Sequence, residues 1–221
     1  MTLTPEEKQL ARRLDFDEDV LRIVKAEVRK PLEPFAEYPG FPPLVWSSAD
    51  VLEGKGLSVK LAERYTGTWE PSYLDIIRRL RSLLRPLGYM AFLTEAYNPY
   101  PCLAVIKTLD QSEVLRVTGT RGWDLDDKFW TAEELIGKLN EWRSFCDFTI
   151  IGADYNNIKL EFITLPDDLL AFAEEVNFLC WELQEVYEIE AYSGDALDKQ
   201  KATEQLAQII RETRRLYLWW D

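Results

Sequence analysis

From Cys102 to the C-terminus the apolar residues switch repeatedly between a helical repeat and short strand-length runs, and that order leaves few folds open. Cys102 to Ile106 is a short apolar run of strand length. Thr131-Ala-Glu-Glu134 is a capping box and opens a helix to about Phe145, with Leu135, Ile136, Leu139 and Trp142 inward. Phe148 to Ala153 and Ile158 to Leu165 read as a hairpin, because the asparagines of Tyr155-Asn156-Asn157 tolerate left-handed turn geometry. Pro166-Asp-Asp168 starts a second helix, to about Trp181, burying Leu169, Phe172, Ala173, Val176 and Leu179. A further helix over about Asp198 to Arg214 precedes a closing strand, Leu216 to Trp220. The order strand, helix, strand, strand, helix, strand, with the last helix inserted before the final strand, matches a ferredoxin-like split βαβ unit. The expected class is α+β, a mixed or antiparallel sheet with helices packed on it.

The N-terminal half is less regular. Thr4-Pro5-Glu6-Glu7 reads as a capped helix start with proline at the first helical position. A second helix is expected from about Asp17 to Arg29, with Val20, Leu21, Val24 and Val28 on one face, and both helices are expected to be peripheral. Prolines at 31, 34, 39, 42 and 43 forbid regular structure and suggest an extended strap. Short strands are expected at Leu44 to Trp46 and Leu57 to Leu61. Between Ser72 and Arg85, Tyr73, Ile76, Ile77, Leu80, Leu83 and Leu84 are spaced for one buried helix face, ended by Pro86 and Gly88. Tyr89 to Leu93 and Cys102 to Ile106 then flank the turn Tyr97-Asn-Pro-Tyr-Pro101. Residues 1–43 are thus expected as a helical arm and strap, and residues 44–221 as one α+β body. Within it, segments 57–106 and 102–221 share an element order, although their residue identities do not support a repeat.

Charge and chemistry exclude several functions. Acidic residues outnumber basic ones by 39 to 26, a net charge of −13. Nucleic-acid binding draws on a basic footprint, so no nucleic-acid partner is expected, whereas a basic protein would be attracted. Histidine is absent, which removes the usual general base and the commonest imidazole metal ligand. No cysteine pair has C-x-x-C spacing, so no structural zinc is expected, nor any cofactor. Any catalysis would run on carboxylates, Lys, Tyr, Ser/Thr or Cys. Cys102, Cys146 and Cys180 are odd in number and sit in apolar patterns typical of buried free thiols, which suits a reducing compartment. The N-terminus lacks a signal-peptide pattern and the apolar runs are too short to span a bilayer, so a cytoplasmic location is expected.

Candidate site residues cluster in one loop and at the end of the chain. Thr118-Gly119-Thr120-Arg121-Gly122 has two glycines and two hydroxyls beside an arginine, able to present N–H groups to an anion, yet it lacks the lysine and length of a phosphate loop. Asp124, Asp126 and Asp127 follow, weak candidates for a hard cation, since no glycine sits where a calcium loop needs one. An acidic loop leading a helix explains them equally well. Eight tryptophans are a surplus for this length. Trp142 and Trp181 read as core, whereas Trp123 and Trp130 flank the acidic loop. Trp219 and Trp220 are consecutive in a strand and so face opposite ways. The candidate ligand site is therefore Thr120, Arg121, Gly122, Trp123 and Asp124, with Trp219 and Asp221 across from them, Asp221 facing Arg121. Arg78, Arg81 and Arg85 form a basic stripe, which is ordinarily a solvated face paired with nearby acids.

The C-terminal part resembles a bacterial family known as domain of unknown function 4253. The resemblance is carried by Leu115-Arg-Val-Thr-Gly-Thr120, Glu134-Leu-Ile-Gly-Lys-Leu-Asn-Glu-Trp142, Ile150-Ile-Gly-Ala153, Leu165-Pro-Asp-Asp-Leu169, Ala171-Phe-Ala-Glu-Glu-Val176 and Leu216-Tyr-Leu-Trp-Trp-Asp221, over about Gly88 to Asp221. Two departures stand out. The family pattern has an Asn-Tyr-Asp-like segment where this chain has Arg121-Gly-Trp-Asp-Leu-Asp-Asp127, and Cys-Pro-Asp where it has Cys180-Trp-Glu182. The resemblance implies no assigned reaction. The function expected from the residues is a non-catalytic binding protein with a protein partner, in the manner of acidic inhibitor or immunity proteins. The alternatives are a carboxylate-based enzyme or small-ligand binder using the 118–127 loop, and a structural homo-oligomer subunit.

Overall fold

Thr4 opens the first helix through both halves of a capping box: its hydroxyl accepts from the Glu7 N–H, and the Glu7 carboxylate accepts from the Thr4 N–H. The computed structural model describes residues 2–28, 33–34, 56–60, 71–94, 102–183, 187, 189 and 196–220. It contains two compact units, Met1–Gly119 with Ile151–Tyr155, and Thr120–Ile150 with Asn156–Asp221. The strand expected at 44–46, the turn at 97–101 and Asp221 lie outside the described residues.

In the first unit, α1 (Pro5–Leu14) ends at Asp15 in the left-handed conformation, and α2 (Glu18–Val28) follows at once. The two helices form as expected and pack deeper than their sequence suggested. Glu7, only 4% exposed, also receives Lys25 Nζ at 2.7 Å, and Val20, Leu21 and Val24 are fully buried in one core with α3 (Pro71–Leu84). Phe16 meets the edge of Tyr89, whose hydroxyl accepts from the Asp17 N–H at 3.1 Å. Helix α3 buries Tyr73, Leu74, Ile77, Leu80 and Leu84. Leu83, expected inside, is exposed because it falls off the edge of that stripe. A 3₁₀ turn, Arg85–Leu87, ends at Gly88 with φ +83°. The arginine stripe is engaged in part, Arg78 with Asp75 at 3.1 Å and Arg81 donating to the Ala91 carbonyl at 2.7 Å.

Strand β1 (Glu33–Pro34) falls inside the segment whose prolines were expected to forbid regular structure. It pairs with β2 (Gly56–Lys60), Pro34 opposite Leu57, and among the described residues it is the edge of its sheet, where a proline is tolerated. Strand β2 lies antiparallel to β4 (Cys102–Ile106), which pairs in turn with β3 (Met90–Thr94), Phe92 opposite Ala104. Both β3 and β4 are buried throughout, as continuous apolar runs require. Strand β7 (Phe148–Asp154) joins β3 in parallel at Leu93 and Gly152, so the sheet is mixed. A Cβ on Gly152 would lie 2.6 Å from the Leu93 carbonyl oxygen, so this crossing needs a glycine. Helix α4 (Ser112–Thr118) closes the unit with Gly119 left-handed at its end.

The second unit begins with a small hairpin, β5 (Gly122–Trp123) and β6 (Phe129–Trp130), which the apolar pattern did not announce. Helix α5 (Ala132–Trp142) starts at the expected capping box of Thr131 and Glu134. Residues 148–150 of β7 and strand β8 (Asn157–Phe162) belong to this unit, followed by α6 (Leu169–Leu179), α7 (Ala196–Thr213) and β9 (Arg215–Trp219). Asp168 caps α6 through the Ala171 N–H at 3.0 Å. Phe172 is the hub of the core, meeting Trp142, Phe162 and Phe145 edge-to-face at 4.9, 5.7 and 6.2 Å between ring centres. The fully buried Trp142 donates its indole N–H to Glu175 at 3.1 Å, so its polar edge is satisfied. The α+β class is as expected. The ferredoxin-like order is not confirmed, because a short helix and a two-stranded hairpin also lie between β4 and α5.

Strand β9 forms where the chain end was expected to dock. It lies antiparallel to β8, Leu218 opposite Ile158 and Leu216 opposite Leu160. Leu216, Leu218 and Trp220 are wholly buried and Tyr217 nearly so, so both faces are covered. Each of these side chains contributes about 1.5 to 3 kcal/mol by leaving water. Deleting residues 216–221 is expected to abolish cooperative thermal unfolding monitored by circular dichroism. A truncated chain that melts cooperatively near the full-length temperature would show the strand to be dispensable.

Candidate functional site

Asp124 follows β5 and is 2% exposed, unlike the solvated aspartates beside it. Its Oδ1 accepts from the backbone N–H groups of Asp126 and Lys128, both at 3.0 Å, and its Oδ2 accepts from the Trp130 indole at 2.9 Å. The carboxylate thereby replaces the missing length of a two-residue ladder and holds the turn in which Asp127 is left-handed, φ +58°. Asp126 and Asp127 are exposed. Among the described residues, no group of three or more Cys, Asp or Glu side chains is placed to hold a metal ion. Lys128 lies 3.6 Å over the Trp130 ring, and Trp123 meets the edge of Phe129 at 5.3 Å.

Gly122 sets the depth of this hairpin. A Cβ there would come within 2.4 to 2.8 Å of the Trp220 indole, so the ring rests directly on bare backbone. The Trp220 indole donates to the Leu179 carbonyl at 3.0 Å, at the end of α6, and the Leu125 N–H donates to the Phe178 carbonyl at 3.0 Å. The loop nominated from sequence and the C-terminal strand therefore do meet, with Trp220 making the contact. Thr120 is buried, and Arg121 and Trp123 are half-buried. Trp219 is half-buried on the other face of β9. Residues 121–127 and 180–182 come together at this end of α6.

The outer edge of β9 is closed by side chains. Thr213 Oγ1 accepts from the Arg215 N–H, the Tyr187 hydroxyl accepts from the Tyr217 N–H at 2.7 Å, and Cys180 serves Trp219 twice. Its thiol donates to the Trp219 carbonyl at 2.9 Å while its sulfur accepts from the Trp219 N–H at 3.3 Å. Burial pushes the Cys180 thiol well above its ordinary range, and burial likewise raises Tyr187. Cys146 is raised to about 11, by burial and then by Asp147. These thiols are protonated packing groups near neutral pH, not nucleophiles.

Beside the hairpin, α6 and α7 leave a groove of about 750 Å³ open between them. Its apolar wall is Leu125, Leu170, Phe178 and Trp181, which are 42%, 50%, 43% and 46% exposed. Trp181 was expected in the core. It lies outside because α6 ends at Leu179 and Cys180 turns the backbone extended, φ −147°, which takes residue 181 off the helical face. Among the described residues, the rim carries Asp168, Glu174 and Glu204 against one lysine, Lys199. On the floor, Asn177 Nδ2 donates to Thr203 Oγ1 at 3.3 Å, while its buried Oδ1 has no hydrogen-bond partner among the described residues. Sequence reasoning missed this groove. The available signal was that Leu169 to Trp181 carries apolar residues on a second face, Leu170 and Phe178 as well as Leu169 and Phe172.

The fold and this site define an α+β protein whose buried aspartate and C-terminal strand brace an apolar groove with an acidic rim. The chain belongs to the family described as Domain of unknown function (DUF4253), whose model matches residues 102–221, somewhat less than the stretch expected from about Gly88. No curated protein and no solved structure matches the chain. Gly122→Ala is expected to destabilise the protein by about 1 to 3 kcal/mol through overpacking against Trp220. Asp124→Ala is expected to cost about 1 to 3 kcal/mol, because it takes the shared buried acceptor from three donors, the Asp126 and Lys128 N–H groups and the Trp130 indole. Urea midpoints measured by tryptophan fluorescence check both. Wild-type midpoints in either variant would show that the hairpin is not braced in this way.

Proposed function

We propose that this chain is a non-catalytic cytoplasmic binding protein, acting as an acidic inhibitor or immunity protein does, and that its partner is another protein held in the groove between α6 and α7. The observation that carries the reading is the groove itself: four large apolar side chains half-exposed in one wall, under a rim of carboxylates. Solvent-exposed clusters of this kind mark interaction sites, and aromatic residues in them are the usual anchors. The nominated carboxylate, Asp124, is already engaged by three donors, and burial keeps the Cys146 and Cys180 thiols protonated. Both features favour binding over acid–base or thiol chemistry in this unit. The net charge of −13 favours a basic partner and a rapid encounter with it.

The test is capture from a lysate of the source organism, with identification of the captured protein and repetition at rising salt. The expected outcome is a basic protein retained at low salt, released as salt screens the rim, and lost on Trp181→Ala. Truncating an interface anchor typically costs about 2 kcal/mol or more, roughly thirtyfold in Kd. Retention unchanged by Trp181→Ala, or no retained protein together with turnover of a small substrate, would overturn the reading.

A further inference from the structure

We infer that the segment of the partner seated in this groove is a cationic amphipathic α-helix of about three turns. The inference rests on the protein-binding reading above and commits it to one recognition mode. An extended peptide binds by adding a strand to a free sheet edge, and the free side of β9 is unavailable for that. The outward N–H groups of Arg215, Tyr217 and Trp219 are taken by Thr213, Tyr187 and Cys180. A helix satisfies its own backbone and needs only a channel for its side chains. The channel present runs between two helices. On α6, Leu170, Glu174, Asn177 and Phe178 recur at intervals of three and four, with Trp181 beyond the helix end. From Leu170 to Phe178 the helix advances about 12 Å at 1.5 Å per residue, and Trp181 extends the wall, which matches about three turns of a ligand helix.

Charge decides the sign of that helix. Among the described residues, three carboxylates, Asp168, Glu174 and Glu204, line the groove with a single lysine, Lys199. Lysines and arginines flanking the apolar stripe of the ligand would lie against these carboxylates, whereas a second copy of this chain would bring like charge to like. Lys138 on α5 pairs with both Glu141 and Glu175 and is not among the groove's lining residues, so it does not alter the balance of the rim.

The test is selection of a random peptide library, about 15 residues long, displayed on phage and panned on the full-length protein with counter-selection on Phe178→Glu. Thermal unfolding of the variant first confirms that it folds. The expected result is enrichment of sequences with net positive charge and apolar residues spaced by three and four. Synthetic versions should gain helical circular dichroism on binding, bind at least tenfold more weakly to Phe178→Glu, and weaken several-fold when Glu174→Lys and Glu204→Lys are combined. Enriched sequences that are acidic, that alternate with period two, or that bind the Phe178→Glu variant equally would overturn the inference, as would no enrichment. If a basic protein is still captured through Trp181, the protein-binding reading stands and only the helical mode fails. A concentration-dependent dimer abolished by Phe178→Glu would assign the groove to a second copy and overturn the cationic helix.

Discussion

The contact of the Trp220 indole with the bare backbone of Gly122 is the constraint on which the second unit depends. One residue near the chain end fixes three elements at once. Its ring sets how close β5 lies, its indole N–H holds the last carbonyl of α6, and its own backbone exchanges hydrogen bonds with Asn156 at the turn before β8. Each link is short-ranged, and the ring is fully buried, so no part of it can move without exposing the rest. With β5 held this close, the Leu125 N–H reaches the Phe178 carbonyl, and Leu125 becomes part of the groove wall. The exposed surface is thus built outward from a buried ring.

Strand β9 shows a second constraint, one of edges. A terminal strand with unpaired N–H groups invites pairing by another chain. Here a threonine, a tyrosine hydroxyl and a thiol close that edge. The thiol suits Trp219 because it both donates and accepts over a short reach, whereas a hydroxyl-free apolar residue at position 180 would leave both backbone groups bare. The same choice makes Cys180 unreactive, since burial holds its proton in place. With the backbone edge closed, what this end of the unit offers is side chains, and Leu170 and Phe178 of α6 stand half-exposed beside Trp181 and Leu125.

The parts of this fold that were legible in the sequence are those whose signal is local. Thr4 with Glu7 and Thr131 with Glu134 announce helix starts because each box satisfies its own backbone donors. Strand β9 was legible because Leu216, Leu218 and Trp220 alternate with Tyr217 and Trp219 at strand spacing. The β5–β6 hairpin was not legible, because its strands are two residues long and are held by Asp124 and Trp220 rather than by pattern. Nor could composition tell which of Asp124, Asp126 and Asp127 turns inward; the answer depends on which carboxylate reaches the N–H groups of the turn. Trp181 was misplaced for a related reason. Helical spacing counted from Leu169 predicts a buried face only while the helix continues, and it stops at Leu179. Of the residues nominated across from the 120–124 loop, Trp219 lies on the far face of β9 and Asp221 is outside the described residues; the contact with Gly122 is made by Trp220 instead, and Asp124 is engaged by its own turn.

Charge acts on two length scales in a chain of this kind, and they have different consequences. At physiological salt the screening length is about 8 Å, so most of the net charge of −13 is too far from any one contact to add to its strength. A net charge of this size works against self-association and, on the proposed reading, would draw a basic partner inward from solution. The carboxylates of Asp168, Glu174 and Glu204 lie within the groove and act at contact range, where they fix orientation and sign. They are solvent-facing, so each adds little free energy of its own. On the proposed reading, what would hold a partner once it has arrived is the removal of Leu170, Phe178 and Trp181 from water, so that encounter would be governed by the whole surface and residence by these three side chains.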